Sequence, residues 1–223
     1  MGRDHDSMLS TSRIKIVFAF VFSGIMLASL AGCGFNSSSL FSSETSFTPA
    51  TDSNTIHGTP KIAGEEILLP CTISDLKNKG FETDYLYENG YVKMWHISEE
   101  KRGNNLCMYV YLDKAYDYKD NDNINDDDTV VAILVTQYDH IDLDFNGIRI
   151  WGAKEDILNI AGTPAYEKEV FLAGNYCFYL GDNDQVYRLK FLATDKLEEF
   201  LFGTKDYMID ENGQLNMGAS SID

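Results

Sequence analysis

The chain has 223 residues, 18 Lys and Arg against 35 Asp and Glu, and a formal net charge of −17. So acidic a chain is a poor partner for nucleic acid, whose phosphates need Lys and Arg to neutralise them. Hydrophobic residues make up 44 % of the sequence and aromatics 13 %, enough for a real core and too many for a disordered chain.

In chain order, the first element is an uncharged run, Ile16 to Leu30, behind Arg13 and Lys15. As a helix it would span roughly 22 Å, short of the ~30 Å a membrane crossing needs. A basic flank, a short apolar core and small residues after it are the three parts of a secretory signal, and Met8 opens a more compact version of it. The run ends in Leu30-Ala31-Gly32-Cys33, which resembles the lipobox of bacterial lipoproteins. The resemblance implies cleavage after Gly32, diacylglycerol on Cys33, and a protein held on the extracytoplasmic side of a membrane. Each buried CH₂ contributes about 0.8 kcal/mol, so two acyl chains anchor stably where one does not. Loss of residues 1–32 takes away three basic and two acidic side chains, leaving 15 against 33 and a charge of −18.

Residues 33–60 are rich in Ser and Thr without periodicity and read as a flexible tether, with a reach of roughly 30 Å. One domain is expected over 61–205, with a polar, loose tail over 206–223. Ile67–Leu69 reads as a short strand. Thr72-Ile-Ser-Asp75 has capping-box spacing and opens a helix that Gly80 closes. Asn89-Gly90 signals a type I′ hairpin between Tyr85–Glu88 and Tyr91–Ile97. Cys107–Asp113 and Val130–Tyr138 are further strands. Asn146-Gly147 signals a second hairpin, between Ile141–Phe145 and Ile148–Trp151. Lys154–Ala161 reads as a helix stopped by Gly162 and Pro164, Tyr176–Leu180 and Val186–Phe191 as strands, and Asp195–Phe202 as a last amphipathic helix.

The order of helix, glycine and strands recurs at an offset of about 82 to 84 residues. The expected fold is therefore α+β, two tandem helix-plus-antiparallel-sheet units over about 61–138 and 139–205. The stretch Gly147–Pro164, a strand leading to a Gly-small pair, a helix and Gly-Thr-Pro, resembles the two-layer domains of beta-lactamase inhibitor protein and the SmpA/OmlA outer-membrane lipoproteins. Leu69–Phe81 resembles openings of uncharacterised lipoproteins of Gram-positive anaerobes. These resemblances imply a binding protein or assembly factor, not an enzyme, and carry no binding residue across.

The sequence holds no catalytic or cofactor motif. Asp142, Asp144, Asn146 and Gly147 match the opening of a calcium loop, but its twelfth position, a Glu in such loops, is Ala153. Ile141, Leu143 and Phe145 alternate with the two Asp residues as a half-buried strand requires, and a turn at Asn146-Gly147 would set Asp144 opposite Arg149. Asp120, Asp122 and Asp126–Asp128 read as a solvated acidic loop. His57, His96 and His140 lack metal spacing. Cys71, Cys107 and Cys177 allow at most one disulfide, and Cys107 and Cys177 sit in apolar runs as small core residues. Tyr85, Tyr87, Tyr91, Trp95, Tyr109 and Tyr111 would in part share a sheet face; such a face either binds a protein or glycan partner or lies under a helix. The expectation is a non-enzymatic envelope lipoprotein that binds another protein or envelope component, the alternatives being a calcium-dependent adhesion or wall-binding module and, behind it, a cell-wall hydrolase.

Overall fold

The computed structural model describes residues 54–86, 91–97, 107–114, 124–170 and 174–215, the side chains of 84–86 aside. The lipobox and the apolar run before it lie outside the described residues, as do Tyr87 and the Asn89-Gly90 turn. Thirteen strands and three short helices follow in order: β1 (Thr55–Ile56), β2 (Lys61–Ile62), β3 (Glu65–Glu66), β4 (Cys71–Thr72), α1 (Ile73–Asn78), β5 (Phe81–Leu86), β6 (Tyr91–His96), β7 (Cys107–Leu112), β8 (Thr129–Thr136), β9 (Leu143–Asp144), α2 (Lys154–Ala161), β10 (Tyr166–Val170), β11 (Gly174–Gly181), β12 (Gln185–Phe191), β13 (Leu197–Thr204) and α3 (Lys205–Met208).

The fold is mostly β. A ten-stranded mixed sheet runs β1-β11-β12-β13-β8-β7-β6-β5, with β10 beside β11 and β4 beside β8, and β3-β2-β9 make a small second sheet. Strands β5 to β8 form one antiparallel meander and β10 to β13 another, and β8 pairs β13 to fuse them. A short helix precedes each meander. In place of two separate sheets there is one continuous sheet, mixed in type because β1 pairs β11 in parallel.

Local chemistry explains the helices. Thr72 accepts from the Asp75 amide at 3.0 Å while the Asp75 carboxylate accepts from the Thr72 amide at 2.8 Å, the reciprocal capping box the spacing predicts. Gly80, at φ +86, turns the chain out of α1, and Gly162, at φ +76, ends α2. Both helices set apolar residues, Ile73 and Leu76 in α1, Ile157 and Ala161 in α2, into the larger buried cluster on the first face of the sheet. The second face carries its own cluster around Tyr111, Leu134, Phe178 and Leu201, packed against Met208 and Ile209. With apolar side chains packed on both faces, β8 reads as an uninterrupted apolar run, Val130–Val135.

Several expectations are corrected. Asp195–Phe202 is not a helix: Leu197, Phe200 and Phe202 enter the first-face core and Leu201 the second, as strand β13 between β12 and β8. Tertiary pairing overrides the helix propensity of Asp-Lys-Leu-Glu-Glu. Ile67–Leu69 is no strand, although Ile67 and Leu69 are buried on either side of exposed Leu68. Of the two strands expected around Asn146-Gly147, only β9 and a bridge between Phe145 and Ile148 form. Residues expected in the tether belong to the fold: β1 joins the sheet, and His57 Nδ1 and the Gly58 amide both reach Asp182, at 2.9 and 3.0 Å. Residues 207–215, read as part of a loose tail, instead fold back, burying Met208 and Ile209 on the second face and closing a bridge between Ile209 and Leu215. Strand β10 has no counterpart among the predicted elements.

Candidate functional site

Alternation along the strands sorts the predicted aromatics. Tyr91, Lys93 and Trp95 of β6 stand opposite Tyr111, Tyr109 and Cys107 of β7, and this row lies on the second face. Tyr85 pairs Lys93 in the backbone register of β5 and β6. Tyr91 and Tyr111 are buried, whereas Lys93, Trp95 and Tyr109 are only half-buried. The rings meet in chain: Tyr91 to Tyr109 edge-on at 5.2 Å, Tyr91 to Tyr111 at 5.8 Å, and Tyr111 to Tyr207 of α3 at 5.9 Å.

The fused sheet brings a second group to this face that sequence reasoning missed. Arg188 of β12 is fully buried, its guanidinium 5.7 Å from the Tyr176 ring, and its Nη2 donates to Glu199 at 3.3 Å. Lys190 donates to Glu199 at 2.8 Å and lies 3.1 Å from Glu198, which also accepts from Gln137 Nε2 at 2.8 Å. The four charges balance. Burial still pulls the Arg188 pKa down against the support of Glu199, and Arg188 Nε and Nη1 have no partner among the described residues. Burial pushes the Tyr207 phenol up to about 12, so this ring stays neutral beside the guanidinium. The arrangement offers aromatic surface and fixed charge.

The three internal cysteines are free thiols, Cys107 and Cys177 in the core as predicted. Burial, with Asp75 beside Cys71, Asp139 beside Cys107 and Glu167 beside Cys177, pushes each up to about 12. None supplies a thiolate near neutral pH.

The calcium-loop residues Asp144 and Asn146 take protein partners. Asp144 accepts from the Gly147 amide at 3.0 Å and faces Arg149 at 3.5 Å, the cross-turn pair the hairpin reading predicts. Asn146 donates its Nδ2 to the His57 carbonyl at 2.7 Å, and Asp142 stays exposed. Among the described residues no group of three acidic, His or Cys side chains is placed to hold a metal ion. Asp126 and Asp128 of the acidic loop pair Lys77 and Lys114 instead. The histidines stay apart: His96 lies against the Lys79 carbonyl, and His140 is exposed.

Cavities of different size open on the surface of the described residues, two of them beside the residues discussed above. The larger, about 650 Å³, is lined by Asp113, Asp184 and Asp206 together with Lys205 and Tyr207. The smaller, about 310 Å³, lies at the end of β8 between Gln137 and Trp151.

No protein-family model and no curated protein matches the chain. Among solved structures it is similar to a cysteine-rich secretory protein (SAV1118) from Staphylococcus aureus, at 17 % identity and a TM-score of 0.37, over 69 % of this chain and 49 % of that one. The chain thus spans about half the length of that protein. No helix among the described residues is long and apolar enough to cross a membrane.

Proposed function

We propose that this chain is a lipid-anchored, extracytoplasmic binding protein without catalytic chemistry of its own. Cys33 carries the diacylglycerol, and the second face of the sheet contacts another protein of the cell envelope. The anchor rests on Leu30-Ala31-Gly32-Cys33 and the short apolar run before it. Two meanders, each led by a helix, support the tandem arrangement implied by the resemblance to beta-lactamase inhibitor protein, in which a sheet face is the natural place for a partner.

The observation that carries the binding role is the row Lys93, Trp95 and Tyr109. The three side chains sit on adjoining strands, half-buried, beside the buried Tyr91 and Tyr111. Half-buried Trp and Tyr present large apolar area at little entropic cost, as interface hot spots do.

A photo-crosslinking residue placed at Lys93 or Tyr109 of the full chain in its own cell envelope tests this reading. A single cross-linked envelope protein from both positions, and none from Lys61, which pairs with Glu66 in the small sheet, is the expected outcome. Equal cross-linking from all three positions, or none, overturns it. The anchor has its own test: a clickable fatty acid fed to cells labels the chain, and Cys33→Ser abolishes both the label and membrane retention.

A further inference from the structure

We propose that residues 205–215, α3 and the turn after it, form a displaceable strap over Arg188, and that the partner of the second face lifts it to set a carboxylate on the guanidinium. The inference rests on the partner-binding reading above and names the group that partner must bring.

Register puts Arg188 on the partner surface. Arg188 pairs Leu201, Leu201 pairs Leu134, Leu134 pairs Tyr109 and Tyr109 pairs Lys93, so one cross-strand row runs from β12 to β6. Side chains in such a row share a face. At about 4.8 Å per strand, the Arg188 backbone stands roughly 14 Å from that of Tyr109, within the footprint of one partner.

The strap lies over this face. Among the described residues, every member of the second-face cluster stands on a strand of the sheet except Tyr207, Met208, Ile209 and Leu215. Tyr207 is within electrostatic reach of the guanidinium, as are Tyr176 and Tyr111 of the sheet, and Arg188 has no exposed surface. The strap is closed on itself. Among the described residues its backbone bonds are internal: Ile209 amide to Lys205 carbonyl at 2.8 Å, Asp210 amide to Gln214 carbonyl at 2.8 Å, and Gly213 amide to Asp210 carbonyl at 2.9 Å. Its α3 has four residues and no side-chain cap, and the larger cavity undercuts its root at Thr204 to Tyr207. Its hold on the sheet is side-chain contact through Tyr207, Met208 and Ile209. A segment of this kind opens locally, at a lower free energy than global unfolding.

Arg188 sets the chemistry of the occupant. Its Nη2 donates to Glu199, which Lys190 shares, while Nε and Nη1 have no hydrogen-bond partner among the described residues. A buried guanidinium with open donors costs stability, and a carboxylate is the planar monoanion that fits it. Glu198 and Glu199 already balance Arg188 and Lys190, so a phosphate dianion is disfavoured beside them. The occupant must also refill the apolar space of Met208 and Ile209. The partner therefore offers an Asp, Glu or terminal carboxylate flanked by apolar side chains.

The test uses the full chain in its own envelope, with the photo-crosslinking residue at Lys93. Arg188→Met should cut the cross-link to the envelope protein roughly tenfold or more while leaving the melting temperature equal or higher. Met208→Ser, which loosens the strap, should raise the cross-link by about threefold or more. Hydrogen exchange in the unsubstituted chain should show the Ile209 and Asp210 amides opening about a hundredfold more often than those of Arg188 and Leu201. Four results overturn the inference and leave the partner surface standing: a cross-link undiminished in Arg188→Met, a lower melting temperature in that variant, a cross-link not raised in Met208→Ser, or strap amides that open only with the sheet. No cross-link in the unsubstituted chain removes the partner, and this inference with it.

Discussion

Glu199 holds two cations at once, Arg188 at 3.3 Å and Lys190 at 2.8 Å, and the two are not equivalent. Lys190 is part-exposed and keeps Glu198 as a second partner, but Arg188 is sealed and, among the described residues, has Glu199 as its one acidic partner. Removing the acid therefore strands a buried guanidinium, whereas removing the guanidinium leaves Glu199 still paired. Glu199→Ala should cost about 3–5 kcal/mol, and Arg188→Met, near in volume, should be neutral or stabilising. Urea denaturation of both variants checks the asymmetry; similar losses in the two would show that the arginine itself is needed for folding. Asp182 gives the acid-range counterpart. The Gly58 amide, and after it His57, hold its carboxyl below the ordinary value of 3.8. A depressed carboxyl stabilises the folded chain fully above its unfolded pKa and loses that contribution as pH falls through the folded one. The tie between β1 and the Asp182 turn should therefore persist at pH 4 and loosen only below it. The Gly58 amide proton shift should titrate with a midpoint under 3.8; a midpoint at or above that value contradicts the bond.

Strand β11 begins at Gly174, where φ is +99 and a methyl group in place of the α-hydrogen would lie 2.1 Å from the Phe191 carbonyl oxygen of β12. Neither the backbone angle nor the space tolerates a side chain, so Gly174→Ala should destabilise by more than about 1 kcal/mol, read as a lowered urea midpoint. Signals of this local kind are the legible ones. The Thr72–Asp75 box, the Gly162 stop and the Asn146-Gly147 turn, with φ +55 and +89, depend on neighbours in sequence and form where the sequence predicts them. What depends on partners far along the chain is not legible in this way. Asp195–Phe202 looks helical until β12 and β8 flank β13 on either side. Its two glutamates, which would form a helix's wet face, are ion-paired on the sheet instead. Tyr166–Val170 gives no strand signal because it is an edge strand whose three middle residues are exposed and charged. The candidate site divides in the same way. Alternation in β6 and β7 places Tyr91, Trp95, Tyr109 and Tyr111 together, while Arg188, Tyr176 and Tyr207 join them only through the pairing of β8 with β13.

The two meanders touch along one seam, Ala132–Thr136 against Glu199–Gly203, and this seam decides whether the molecule behaves as one body or two. If each helix-led meander were an independent unit, the seam would be an interface and its apolar residues few. Instead Ile133, Val135, Phe200 and Phe202 lie wholly inside a buried cluster that also contains Val92 and Val110 of the first meander and Leu189 and Phe191 of the second. Leu134 and Leu201 are equally buried on the other face. Neither half can keep its core dry without the other, because separation would wet both faces of β8 and β13 together. Thermal unfolding of the folded region should therefore be a single transition whose calorimetric and van't Hoff enthalpies agree. A charge in the seam, as in Leu134→Asp, should lower that transition as a whole without splitting it. Two resolved transitions, in the unsubstituted chain or in Leu134→Asp, would show that the repeated helix-and-strand order marks two separately stable units. In the single-transition case the second face is one rigid surface, and the tyrosines of β6 and β7 are held in place by strands from the far half of the chain.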